Sequence, residues 1–316
     1  TERIRLMLVT MSGQELSKFC FGTMQFGHGS TYDQSGSVYT ECRQSKINHF
    51  DTANTYTGGL SETWLGEFLK GEREQIFVSS KVGYTGGSAP ENLSAQLSES
   101  RKRLKQDTID LLYLHRFDPD TPLEKTLTWF SEQLEKKTIR YCGVSNFAAW
   151  QITKAEFIAQ NLGLKISAAQ PMYSLVKRQA EVEIFPACQD LNIECFSYSP
   201  LGAGLLTGKY QKQTQNGRLA SDARYAKRYG NSEMHKTATE LNNLSRQYSV
   251  DPATLAVAWI AKSKYQPVPI ISARNIEQLT PVLNALNFDM SDELFDEINN
   301  LAPRPAPATD RLEEQV

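Results

Sequence analysis

The sequence has no long apolar run. Its hydrophobic stretches fall far short of the ~20 residues a membrane-spanning helix needs, so no transmembrane segment and no membrane partner are expected. It also lacks an excess of either charge: 34 Lys and Arg against 36 Asp and Glu leave a net charge of −2. That balance gives no electrostatic reason to expect nucleic acid or an anionic lipid surface. Cysteine is scarce. Cys20, Cys42, Cys142, Cys188 and Cys195 make an odd set without metal-ligand spacing, which argues against a disulfide framework and against a bound metal. Cys20, Cys142 and Cys195 lie in apolar runs, as buried free thiols of a reducing compartment do. Thr1 to Thr10 alternates charge with short apolar pieces and does not read as a signal peptide, so a cytoplasmic location is the expectation. There is no low-complexity tract.

What is present is an ordinary globular composition, 40% hydrophobic and 22% charged, with a strong rhythm. Strands are predicted near 18–21, 48–51, 76–81, 109–115, 141–145, 167–170, 193–198 and 268–271. Most begin about thirty residues after the last, room for one helix and two short loops, which is the mark of parallel βα units. Trp64, Leu65, Phe68 and Leu69 form one helical stripe. Leu93, Leu97 and Leu104 form another, with Arg101, Lys102 and Arg103 on its solvated side. Leu123, Leu127, Phe130 and Leu134 suit an outer helix whose charges face water. Leu6 to Val9, a Ser12-Gly13 turn and Glu15 to Ser17 read as a β-hairpin. The interval before 268 is longer. It holds a glycine-spaced loop at 202–210, a polar stretch at 211–234 without sustained period, and helices near 235–248 and 252–264, the second opened by Asp251-Pro252. Helix is also predicted over 275–286, with Pro281 either kinking it or marking its first turn, and from Ser291 to about Leu301. Residues 1–302 are expected to form one barrel domain with a lid-like insertion at about 208–234, and 303–316 a proline-rich tail.

Three apolar runs end in groups able to do proton chemistry. Phe50 leads into Asp51 and then Tyr56, Lys81 closes the run from Ile76, and His115 closes the run from Ile109. In a parallel α/β barrel all strand ends share one rim, so these four would meet there. Singly, each has a dull alternative: a capping aspartate, a surface lysine, a loop aromatic, a structural histidine. Jointly, at successive strand ends, they point to a catalytic set. His28, His49 and His235 have no such company, and His49 reads as structural.

The set resembles the catalytic tetrad of the aldo-keto reductases. Phe50-Asp51-Thr52-Ala53, Tyr56 with Ser61-Glu62, Gly143-Val144-Ser145-Asn146, Tyr198-Ser199-Pro200-Leu201-Gly202 and Ala273-Arg274-Asn275 stand in that family's order, across about 16–301. The resemblance implies an α/β fold, a (β/α)8 TIM barrel, with the N-terminal hairpin closing its bottom and an extra C-terminal helix. It implies NADP(H)-dependent, reversible reduction of an aldehyde or ketone, with NADP(H) favoured over NAD(H). In those roles Tyr56 is the acid, Lys81 lowers its pKa, Asp51 keeps Lys81 charged, and His115 acts as a neutral hydrogen-bonding imidazole. The potassium-channel β subunits share the segment from Tyr198 to Tyr210, which makes an NADP(H)-binding regulatory subunit with little turnover the alternative.

Cofactor contacts are implied by the same resemblance. Gly22, Thr23 and Met24 open the first strand end. Ser145, Asn146 and Gln170 resemble the clamp on the nicotinamide carboxamide, and Tyr198, followed by Ser199, the aromatic stacked on that ring. Leu201, Gly202, Gly204 and Leu205 resemble the loop along the pyrophosphate, with Lys209 adding charge. These glycines are wrongly spaced for a Rossmann fingerprint. Ser272, Arg274 and Gln278 resemble the 2′-phosphate region, although the usual lysine or glycine is replaced by Ser272-Ala273, and Pro281-Val282 stand where an asparagine or acid is common. Met24, Tyr84, Arg116, Phe117 and Tyr173 come after strand ends and suggest a mixed aromatic and polar substrate pocket. Arg116 either receives an anionic group or is simply solvated. The substrate, among aldehydes, ketones, sugar derivatives and pyridoxal, and the oligomeric state stay open.

Overall fold

The computed structural model describes residues 8–210 and 218–314. Eight parallel strands close on themselves in sequence order, β1 (Cys20–Gly22), β2 (His49–Asp51), β3 (Phe77–Val82), β4 (Ile109–Leu114), β5 (Ile139–Ser145), β6 (Ile166–Gln170), β7 (Glu194–Ser197) and β8 (Val268–Ile271), the last pairing with the first. The intervening helices are α1 (Tyr32–Gln44), α2 (Leu60–Phe68), α3 (Pro90–Leu104), α4 (Leu123–Glu135), α5 (Ala149–Asn161) and α6 (Ile184–Asp190), one after each of β1 to β6. This is a (β/α)8 barrel, as the strand rhythm predicts.

Strand alternation divides the apolar residues into two sets. Cys20, Phe77, Leu111, Tyr113, Ala168, Phe196 and Ile270 fill the barrel interior, while Phe21, Phe50, Val78, Leu112, Val144, Ala169 and Ile271 pack outward against the helices. Gly143 belongs to the inner set because nothing larger fits: a Cβ there would lie 2.7 Å from the Tyr113 ring. His49 is interior and structural. Its Nε2 meets Ser79 Oγ at 2.5 Å, its ring is edge-on to Phe77 and Phe196, and burial holds its pKa down at about 3. All five cysteines are buried and free, Cys42 and Cys188 included.

After β7 come α7 (Arg218–Ser221), α8 (Ala223–Tyr229), α9 (Ser232–Tyr248) and α10 (Pro252–Lys262), and after β8 come α11 (Ile276–Asn284) and the extra helix α12 (Asp292–Asn299). The stretch read as aperiodic contains two helices too short to display a period, one capped by Asp222. Residues 211–217 of it lie outside the described residues. Pro281 sits at the sixth position of α11 rather than in its first turn, where it removes one helical N–H and the helix ends three residues later. Asp251 and Ser291 cap α10 and α12 as expected.

Of the expected hairpin, Leu6 and Met7 lie outside the described residues. The described part consists of the turn and an antiparallel bridge between Val9 and Glu15. Arg140 secures it at the starts of the strands, donating to the Val9 carbonyl at 2.9 Å and to buried Asp110 at 2.6 Å. Past Leu301 regular structure stops among the described residues, apart from one turn at Leu312–Glu314. Among the described residues, no helix is long and apolar enough to cross a membrane.

Candidate active site

Three of the four proton-active residues sit at strand ends because parallel strands align their carboxyl termini. Asp51 ends β2, Lys81 is the penultimate residue of β3, and His115 comes directly after β4. Lys81 is buried. Its ammonium pairs with the Asp51 carboxylate, donates to the Thr52 carbonyl at 2.7 Å and reaches the Tyr56 hydroxyl at 3.3 Å. The second Asp51 oxygen accepts from Gln170 Nε2 at 3.0 Å. Burial works against the ammonium, but attraction to Asp51 and then Tyr56 more than offsets it and raises the Lys81 pKa.

Tyr56 departs from the expected tuning. Burial, the largest influence, pushes its phenol above the usual value, and Lys81 pulls it back without winning. The hydroxyl is therefore held as a proton donor, and the nearby cation eases formation of the phenolate only as the proton leaves. His115 packs edge-on to Tyr56, with ring centroids 6.1 Å apart. Burial first, then Lys81 and Arg116, lowers its pKa to about 3, so the imidazole is neutral at ordinary pH. Its Nδ1 is buried without a partner among the described residues.

The loop that carries Tyr56 is strained. Thr57, Gly58 and Gly59 have φ of 52°, 62° and 93°, three left-handed residues in succession, of which only glycine adopts such angles freely. Arg103 on α3 holds this loop by donating to the Asn54 carbonyl at 3.0 Å. It also reaches Glu62 at 3.4 Å, a fully buried carboxylate whose other oxygen accepts from Ser80 Oγ at 2.6 Å. Arg103 thus corrects the expectation that it faces solvent. Its placement beside a buried acid depends on a contact 41 residues away, which helical spacing cannot reveal.

The proposed nicotinamide clamp residues are brought together. Asn146, in a left-handed conformation (φ 59°), donates to the His115 carbonyl at 2.9 Å and lies 3.1 Å from Ser145 Oγ. Ser145 Oγ donates to the Gln170 carbonyl at 3.1 Å, and the Tyr198 hydroxyl donates to Asn146 Oδ1 at 2.6 Å. Thr23 is buried and bonds to the Asp51 carbonyl at 3.0 Å, between Gly22 at the end of β1 and half-buried Met24. Ser199, Gly202, Ala203 and Gly204 all have positive φ, giving a tightly wound turn over 202–207. Leu201 is half-buried and Leu205 fully buried, so only the backbone of Leu205 can face a ligand. The Lys209 side chain crosses beside Gly204, where any Cβ would collide with it.

Across the seam between β8 and β1, Arg274 Nε donates to Gln25 Oε1 at 3.0 Å, and Ser30 Oγ donates to the Arg274 carbonyl at 2.8 Å. Gln278 Oε1 accepts from the Arg274 amide at 3.3 Å. No carboxylate pairs with Arg274 among the described residues, and Ser272 Oγ and Gln25 Nε2 are buried there without partners. Unspent donors around an unpaired guanidinium fit an anionic group such as a nucleotide phosphate. Sequence reasoning missed Gln25 and Ser30, which lie 249 and 244 residues from their partner.

The substrate-side residues divide. Tyr84 packs against His115 at 4.8 Å and carries Arg116 at 5.0 Å over its ring. Phe117 turns to Phe147 and Trp150 instead. Tyr173 is not at the pocket. It is buried between Phe185 and Trp259, with its hydroxyl on Glu181 at 2.8 Å, because the chain past β6 directs it outward into the helix layer.

The chain is 31% identical over 94% of its length to the uncharacterised oxidoreductase YrpG of Bacillus subtilis, covering 96% of that protein. It is 29% identical to the aldo-keto reductase yakc [NADP(+)] of Schizosaccharomyces pombe, over 88% of this chain and 85% of that one. A probable voltage-gated potassium channel subunit beta of Arabidopsis thaliana is 30% identical over 87% of this chain and 89% of its own length. The model of the Aldo/keto reductase family matches residues 18–303. With nearly the whole barrel matched, the chain belongs to the aldo/keto reductase family of oxidoreductases.

Proposed function

We propose that this protein reduces an aldehyde or ketone to the alcohol, reversibly, with NADP(H), and that Tyr56 gives the proton. The observation that carries this is the Tyr56 hydroxyl 3.3 Å from Lys81 Nζ, on a lysine already paired with Asp51. A bound nicotinamide supplies the hydride, which no side chain can. The chain's own groups do the rest. His115, neutral, orients the carbonyl oxygen, Tyr56 protonates it as negative charge develops, and Lys81 stabilises the phenolate left behind. Ser145, Asn146 and Gln170 would hold the carboxamide, Tyr198 the ring face, and the turn at 202–207 with Lys209 the pyrophosphate. We assign α8, in the described part of the segment after β7, as a lid: Tyr229 packs by Gly202, and its hydroxyl lies 3.7 Å from Met172 Sδ. The buried free cysteines suit a reducing compartment such as the cytoplasm.

The test is NADPH consumption, followed by absorbance, against a panel of aldehydes and ketones. Turnover is expected on several. Tight NADPH binding with no turnover on any of them would favour a binding subunit instead.

Arg274 is assigned the 2′-phosphate, which carries close to two negative charges. Arg274→Ala is expected to weaken NADPH binding by roughly 2 kcal/mol, the scale for hydrogen bonds to a charged group, and to leave NADH nearly unaffected. Titrating both dinucleotides into parent and variant checks this. Equal weakening of the two would show that Arg274 does not read the phosphate.

A further inference from the structure

We infer that the substrate of this site carries an anionic group, a carboxylate or a phosphate, beside its carbonyl, and that Arg116 binds it. The inference rests on the reductase function proposed above and narrows it to a substrate class.

Tyr56, His115 and Tyr84 form a continuous ledge of rings, with centroids 6.1 Å apart at the first junction and 4.8 Å at the second. At its far end the Arg116 guanidinium lies 5.0 Å over the Tyr84 ring. A guanidinium stacked in this way keeps its planar fork of N–H groups pointed outward, with less freedom to lose when a ligand binds. The side chain is exposed, and among the described residues it has no carboxylate partner.

The nearby acids do not serve as that partner. Asp118 accepts from the Ser88 amide at 2.7 Å, the Thr121 hydroxyl at 2.7 Å and the Asp120 amide at 3.0 Å; desolvation works against its charge, but these bonds together hold the carboxyl below the usual range. Asp120, on the same loop, forms no ion pair with Arg116. Asp222, the cap of α8, is taken by Arg224 at 2.8 Å. A second cation stands toward the same mouth. Arg228 stacks on Tyr225 at 5.5 Å, and these two residues act electrostatically on Tyr198, with Tyr225 acting also on Tyr56.

Arg116 is badly placed for the cofactor's own phosphates. Arg116 lies beyond β4, whereas the groups assigned to the phosphates lie beyond β7 and β8; in a ring ordered β1 to β8, β4 and β8 lie opposite each other. Between the two ligands of the proposed site, that favours the substrate for Arg116.

The experiment compares kcat/KM for matched pairs: benzaldehyde with 4-carboxybenzaldehyde, and glyceraldehyde with glyceraldehyde 3-phosphate. The parent enzyme is expected to favour the charged member of at least one pair, and the pair that shows it tells carboxylate from phosphate. Arg116→Met should lower that charged-to-neutral ratio tenfold or more, chiefly through KM. Arg116→Lys should recover part of it, and added salt should erode it in the parent. A parent ratio near one for both pairs overturns the inference, as does a ratio that Arg116→Met leaves unmoved. Neutral aldehydes reduced without charge preference would sink this inference alone. If none of the four is reduced, the reductase function fails and the inference falls with it.

Discussion

Tyr56→Phe is expected to lower carbonyl reduction by about 10²–10⁴-fold, the range for a positioned general acid. Lys81 still pairs with Asp51 in the variant, and the residues assigned to the nicotinamide come from β5, β6 and β7, so NADPH affinity should stay within a few-fold. Steady-state rates with the best aldehyde, together with an NADPH titration, test both halves. A variant retaining more than about a tenth of the parent rate would remove Tyr56 from the role. The pH profile adds a second check. Since His115 is held at about 3, it is neutral across any assay near neutrality and should contribute no break there. A break near the ordinary histidine pKa of about 6.5 that disappears in His115→Gln would contradict the neutral imidazole.

The second large effect concerns Asp51 and Lys81 as one unit. Both are buried, so removing either leaves an unpaired charge in a poorly solvated place, which typically costs about 3–5 kcal/mol. Asp51→Asn and Lys81→Met should each lose at least about a hundredfold in kcat/KM and some thermal stability. The double variant should be no worse than the poorer single one, because the second substitution removes the charge that the first left stranded. Kinetics and melting curves of all four proteins decide it. Losses that simply multiply would mean the residues act separately.

The contrast between what sequence did and did not disclose comes from the geometry of the barrel. Asp51, Lys81 and His115 were legible because parallel strands recur at a steady interval and their ends coincide, so position in a run implies position in space. His49 was legible as structural because it lies within the strand before Asp51 and lacks the company of other proton-active groups. Arg103 was not, since a helix wheel separates apolar from charged faces but cannot show that a buried Glu62 waits on the neighbouring helix. Tyr173 misled because it lies past the strand, where alternation no longer fixes direction. The short helices α7 and α8 escaped because seven residues or fewer cannot display a 3.6-residue period. Tyr56 was placed rightly beside Lys81, but the balance between burial and the cation needed the three-dimensional surroundings.

The seam between β8 and β1 joins the two ends of the chain at the residues we propose for the nucleotide's 2′-phosphate. Cys20 and Phe21 pair with Ile270 and Ile271, and Arg274 is tied to Gln25 and Ser30. Closing so long a loop is an entropic hurdle that every earlier strand pairing postpones. A nucleotide held there binds only the closed ring, so its concentration sets how firmly the ring stays shut: a hundredfold excess over Kd adds about 2.7 kcal/mol to closure. A chain ending before β8 would already carry Asp51, Tyr56, Lys81 and His115, yet its first strand would be paired on one side only, with β2. For such a barrel, the supply of cofactor becomes a term in folding as well as in chemistry.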